Sequence, residues 1–180
     1  DYVKLHLLGF GKIDQMPNFL NYGIASIDTT SPMLRAFKDS VKNFFMLTDD
    51  GILDNYTAIR IPQATENRNL KILTHKGIFT QEYLIQQEKD ALAAIRAFNH
   101  NGVGAEEALD IIMKYTKSTL FNPKSEQAPT QIKLNNVRSH YQRTLQDKPW
   151  QTCQCPVCEK VSVEVMIFRA SNRNKRRGMH

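Results

Sequence analysis

Val3-Lys4-Leu5-His6-Leu7-Leu8-Gly9-Phe10-Gly11, followed by Gly23-Ile24-Ala25-Ser26-Ile27-Asp28-Thr29-Thr30-Ser31-Pro32, reads as strand, helix, strand, helix. Residues 3–8 form a short apolar run, expected to be a buried strand, that Gly9-Phe10-Gly11 stops. Ile13, Met16 and Leu20 then recur at helical spacing, and Gly23 ends that helix. A second short strand over residues 24–27 ends at Asp28. Ser31 as N-cap and Pro32 at the first helical position open a helix expected to run through Leu34, Phe37 and Val41 to about Phe44. This alternation is the grammar of a parallel α/β sheet. Residues 56–61 give a third strand candidate, closed by Pro62.

The middle of the chain changes character. Residues 82–99 predict a helix with Ile85, Leu92 and Ile95 on one side, broken by Asn101-Gly102-Val103-Gly104. Residues 105 to about 120 predict another, through Leu109, Ile112 and Tyr115, and residues 122–129 make a polar linker. Thr130 opens a third helix carrying Leu134, Val137, Tyr141 and Leu145, with Lys133, Arg138 and Arg143 on its other face, and Pro149 ends it. Val161, Val163, Val165 and Ile167 alternate, which predicts a strand. The chain so divides into residues 1–62 (strands and helices of the sheet), 63–129 (a helical insertion) and 130–180 (a basic helix and a cysteine-bearing subdomain).

The C-terminal part carries Cys153-Gln154-Cys155-Pro156-Val157-Cys158, the only three cysteines, and His180 ends the sequence. Three soft thiolates and an imidazole make the tetrahedral set that Zn²⁺ prefers. An odd, clustered count argues for metal over a disulfide framework. The fourth ligand is His180, with His140 as the alternative. Free cysteines point to the cytoplasm. No apolar run approaches the roughly 20 residues of a membrane span, and no signal peptide is evident. Both ends, the first without Met, read as cut from a longer protein.

A net charge of +6 over 180 residues suits an anionic partner such as nucleic acid. Arg169, Arg173, Lys175, Arg176 and Arg177 crowd within nine residues beside the cysteines, an arrangement suited to phosphate contact or to a solvated loop. Asp28 stands at the C-terminal end of a strand, just before a helix. That rim is where reacting groups of parallel α/β folds sit, although an Asp in a tight turn can equally cap the helix. Gly9 and Gly11 end the previous strand on the same rim and either admit a planar ligand or make a turn. His6 reads as a satisfied interior histidine and Asp49-Asp50-Gly51 as a turn. Nothing forms a Ser/His/Asp triad or a P-loop.

Together, Leu7-Leu8-Gly9-Phe10-Gly11, Gly23-Ile24-Ala25-Ser26-Ile27-Asp28 and the C-x-C-x-x-C with a later His resemble the tRNA-guanine transglycosylase superfamily. The likeness covers residues 3 to about 35 and 153–180. The tail from Phe168 to His180, and a middle unlike the tRNA enzymes, look most like the branch that inserts 7-deazaguanine bases into DNA. The resemblance implies the C-terminal part of a (β/α)₈ barrel with a structural Zn²⁺. It implies Asp28 as the nucleophile at the sugar C1′ of a guanosine nucleotide, and Leu8, Gly9 and Phe10 as a wall against the base. Arg35, with Lys38 nearby, stands out of the tRNA enzymes' register for the basic residue after the nucleophile. The family's second catalytic Asp belongs to a half of the fold not contained in these residues, so this stretch alone is expected to be inactive. DNA is the expected nucleic acid, with tRNA as the alternative. A non-catalytic partner subunit that only binds nucleic acid is the rival of another class.

Overall fold

The first two strands lie side by side and run the same way in the computed structural model of the protein, which describes residues 4–9, 22–48 and 50–169. β1 (Leu5–Leu8) and β2 (Ile24–Asp28) pair in parallel, with Leu8 opposite Asp28, as the strand–helix–strand pattern requires. The intervening helix expected through Ile13, Met16 and Leu20 lies outside the described residues. The pair is not buried as expected. Leu5 is 51% exposed and Leu8 76%, because two strands alone cannot shield both of their faces.

Helix α1 (Ser31–Lys38) starts one residue earlier than the sequence suggests, with Thr30 as N-cap and proline in the first turn. It also stops six residues short of Phe44. The Asp39 carboxylate accepts the main-chain N–H groups of Val41 and Lys42, both at 2.8 Å, and the Asn43 side chain donates to the Asp39 carbonyl at 3.0 Å. This Asx-type turn offers the backbone a better partner than another helical turn. Phe44 therefore opens a strand. β3 (Phe44–Leu47) and β4 (Leu53–Tyr56) form an antiparallel hairpin, and the helical spacing of Leu34, Phe37, Val41 and Phe44 merely ran across a turn.

The strand expected over residues 56–61 is split. Tyr56 closes β4. The Ala58 N–H then donates to Asn43 Oδ1 and the Thr57 hydroxyl to the Val41 carbonyl, which bends the chain into β5 (Ile59–Arg60).

Helix α2 (Arg68–His75) has no counterpart in the sequence reading. Asn67 caps it by accepting from the N–H groups of Asn69 and Leu70, and Leu70 and Leu73 anchor it in the core. The next three helices fall where apolar spacing puts them: α3 (Gln81–Asn99), α4 (Ala105–Thr119) and α5 (Gln131–Asp147). Thr80 and Thr130 cap α3 and α5 with their side chains. Left-handed Lys148 ends α5 and turns the chain into α6 (Pro149–Thr152) and α7 (Pro156–Val161).

The alternating valines do not make the expected strand. Ser162, at φ 48°, ends α7, and residues Ser162–Met166 coil into a 3₁₀ turn. Three residues per turn put Val163 and Met166 on one face, so both are buried without any strand. Only Ile167–Phe168 is extended, as β6, paired in parallel with β5.

One apolar core joins Phe44 to Phe168, through Ile59, Leu73, Leu84, Ile112, Leu145 and Trp150. All three expected parts of the chain contribute to it. The fold is mixed α/β, but the described strands form three separate two-stranded sheets and do not close a barrel.

Candidate active-site rim and metal centre

Asp28 is the last residue of β2. Its carbonyl accepts the Gly9 N–H at 2.8 Å, which ties the ends of the two parallel strands together. Gly9 sits at φ +67°, a conformation only glycine adopts without strain, so its first duty here is the turn. The Asp28 side chain is exposed, and among the described residues its carboxylate accepts no hydrogen bond. The capping role weighed against catalysis is not the one it plays. Thr30 is the N-cap, and the Ser31 N–H goes to Thr29 Oγ1 at 3.1 Å. A free carboxylate therefore stands at the C-terminal rim of a parallel pair, beside the exposed Leu8. His6 is exposed rather than interior, and its Nδ1 lies 2.7 Å from Ser26 Oγ across the pair. Phe10 lies outside the described residues.

The cysteine knuckle is built by two proline-started turns. Trp150 on α6 is buried edge-on to Phe98 and donates its indole N–H to Asn99 Oδ1 at 2.7 Å, fixing α6 to α3. Cys155 is the N-cap of α7, with its sulfur accepting the Cys158 N–H at 3.4 Å. Cys158 is buried, Cys153 and Cys155 half-buried, and all three are free of disulfides. Their sulfurs lie within 4.8 Å of one another. Tetrahedral Zn²⁺ at about 2.3 Å from each sulfur needs them about 3.8 Å apart, so the set fits such an ion. Burial pushes the Cys153 and Cys158 thiols upward, and a coordinated cation would act the other way by favouring the thiolates. His140 is exposed and does not join the cluster, and His180 lies outside the described residues.

The expected cations separate into distinct fates. Arg35 stacks over the Phe45 ring at 5.8 Å and lines a cleft of about 380 Å³ with Asp39, Lys42 and Asn55. Arg169 turns inward to Glu88, with the two side chains only 17% and 11% exposed. Arg138 is held by Asp110 and Glu106. Arg143 is held by Asp54 and Asp147 and lies over the Tyr56 ring at 4.4 Å. The face of α5 expected to be freely basic is thus largely neutralised by the acidic residues packed against it. Arg173, Lys175, Arg176 and Arg177 lie outside the described residues. Sequence reasoning passed over Glu88, the buried acid that receives Arg169. It also missed α2, whose signal was Asn67 followed by Leu70 and Leu73 at i+3 and i+6.

Among the described residues no helix is long and apolar enough to cross a membrane. No family model matches the chain. It is 33% identical over 178 residues, 99% of its own length, to a curated protein of Salmonella montevideo named DNA-guanine transglycosylase, and it spans 40% of that relative's length. The match runs through the helical middle as well as the two motif-bearing ends, so nearly the whole chain is similar to a part of a DNA-guanine transglycosylase, the kind of protein that the resemblance of its motifs pointed to.

Proposed function

We propose that these residues are the nucleophile-bearing and metal-binding portion of a base-exchange transglycosylase that replaces guanine in DNA with a 7-deazaguanine base. The observation that carries the reading is the likeness to a DNA-guanine transglycosylase along the whole chain, joined to an unengaged carboxylate, Asp28, at a parallel-strand rim. Asp28 attacks C1′ of the target nucleotide. The C1′–N9 bond breaks, and guanine leaves with that electron pair and takes up a proton at N9. The 7-deazaguanine then loses its N9 proton, attacks C1′ and releases the carboxylate. Two displacements retain the configuration at C1′, as in retaining glycosyl transfer. On a duplex the nucleotide must leave the stack for its C1′ to be reached. Leu8, Gly9 and Phe10 form the wall against the base, and Arg35 and the basic tail, Arg173, Lys175, Arg176 and Arg177, take phosphates. Cys153, Cys155 and Cys158, with His180, hold a structural Zn²⁺ that supplies folding energy and leaves no open coordination position.

The test uses the full-length protein and a DNA duplex carrying radiolabelled guanine. Asp28→Asn is expected to abolish both label release and the trapped covalent protein–DNA adduct, while changing DNA affinity less than threefold. Normal turnover by the variant would remove Asp28 from the chemistry. Exchange on a tRNA transcript but not on the duplex would move the substrate to the tRNA alternative. The 180 residues alone are expected to show no exchange.

A further inference from the structure

Arg138 and Arg143 on α5, and Arg169 after β6, are held by the fold's own carboxylates. Helix α2 differs. Arg68, Lys71 and His75 stand at i, i+3 and i+7 and so share one exposed face, opposite the buried Leu70 and Leu73. Among the described residues none of the three makes an ion pair or a side-chain hydrogen bond, whereas Lys76, one position on, is taken by Glu126 and the Pro123 carbonyl. Arg68 also stands in the first turn of its helix, which holds no acidic residue, where the helix dipole disfavours a cation. A positive group kept against its own helix, with no internal partner, is placed for an external anion.

The face borders a cleft. Lys71 and His75 line a space of about 240 Å³ together with Ala64, Thr65, Thr74 and Gln81. Ala64 and Thr65 belong to the loop that leaves the C-terminal end of β5, the side on which parallel sheets receive ligands. Gln81 is the first residue of the 19-residue α3, so the positive end of that helix adds to the potential. From Arg68 to His75 the helix advances about 10 Å, the axial length of about three nucleotides of one strand.

We propose that the Arg68–Lys71–His75 face of α2 holds the sugar–phosphate backbone of the DNA substrate, as a docking surface within the helical middle of the chain. The proposal rests on the DNA-acting reading above and adds to it a place where the duplex is gripped. Contacts of this kind position a duplex without reading its sequence.

The test is duplex binding by the full-length protein over a range of salt concentrations, on two unrelated sequences. The Arg68→Gln/Lys71→Gln double variant is expected to lower the log–log salt slope by roughly 1.8, about 0.9 for each lost phosphate contact, and equally on both sequences. Lys71→Arg, which keeps the charge, is expected to retain the wild-type slope. A double variant that melts like the wild type and keeps its slope would overturn the α2 surface while leaving the DNA reading intact. A wild-type protein that binds no duplex at all would overturn both.

Discussion

Glu88 holds two distant parts of the chain at once: one carboxylate oxygen takes the Arg169 guanidinium just after β6, and the other takes the Ala64 N–H just after β5. Beside them the Tyr115 hydroxyl donates to the Pro62 carbonyl at 2.6 Å. The helical middle is thereby fastened to the C-terminal side of the β5–β6 pair. Removing one member of a buried pair leaves the other charge uncompensated. Glu88→Ala is expected to cost about 3 kcal/mol or more in urea unfolding, and Glu88→Met with Arg169→Met to recover much of that loss. A loss under about 1 kcal/mol for Glu88→Ala would assign the clasp no structural weight.

The metal centre gives a second expectation. Cys158 is the buried one of the three cysteines. Cys158→Ser should reduce bound zinc from one equivalent to a small fraction by elemental analysis. It should also make α6 and α7 exchange amide hydrogens faster than α4 does. Full zinc occupancy in the variant would show that the ion, if bound, uses other ligands.

Alkaline pH should unfold the protein through its tyrosines. Burial raises the Tyr115 and Tyr141 hydroxyls above the ordinary phenol value of about 10, Tyr115 further by the nearby Glu88 charge. Above that value the unfolded chain releases phenolic protons that the folded chain keeps, so the unfolded state binds fewer protons and stability falls as pH rises. Their contribution is fully present below pH about 10 and is lost progressively above it. Tyr141→Phe should flatten the decline in a denaturation series from neutral to alkaline pH. An identical slope in the variant would locate the titration elsewhere.

Burial separates two leucines that look alike in the sequence. Leu145 is fully buried and Leu8 is 76% exposed. Leu145→Ala should cost about 2–5 kcal/mol, and Leu8→Ala within about 0.5 kcal/mol. If Leu8 forms the base wall, its substitution should instead change base exchange in the full-length protein.

The long helices were legible because apolar spacing runs through each of α3, α4 and α5, with a capping threonine before α3 and α5 and a glycine before α4. The parallel pairing of β1 with β2 was legible for a similar reason, since a glycine turn and an Asp-ended apolar run bracket it. Errors gathered where a local turn overrides the apolar spacing. Asp39 accepts two N–H groups and ends α1, and left-handed Ser162 turns an alternating stretch into a 3₁₀ coil. Neither effect leaves a mark in hydrophobic periodicity. The candidate site divides along the same line. The chemical type of Asp28 and of the three cysteines could be read directly. Whether a cation is free could not, because Arg138, Arg143 and Arg169 find their carboxylates on α3, α4 and the β3–β4 hairpin, far away in sequence.

The pairing of Ile59 with Ile167 has a kinetic consequence. About a hundred residues lie between the two strands, and bringing such ends together costs roughly 4 kcal/mol of loop entropy before any contact repays it. The pair is only two residues long on each side. It cannot nucleate itself. The helices enclosed by that loop have local contacts and must assemble first, after which closing β5 on β6 becomes a short-range step. Refolding should therefore show helix formation ahead of the burial of Phe168, and a nascent chain should gain its helices while the cysteine knuckle is still being synthesised.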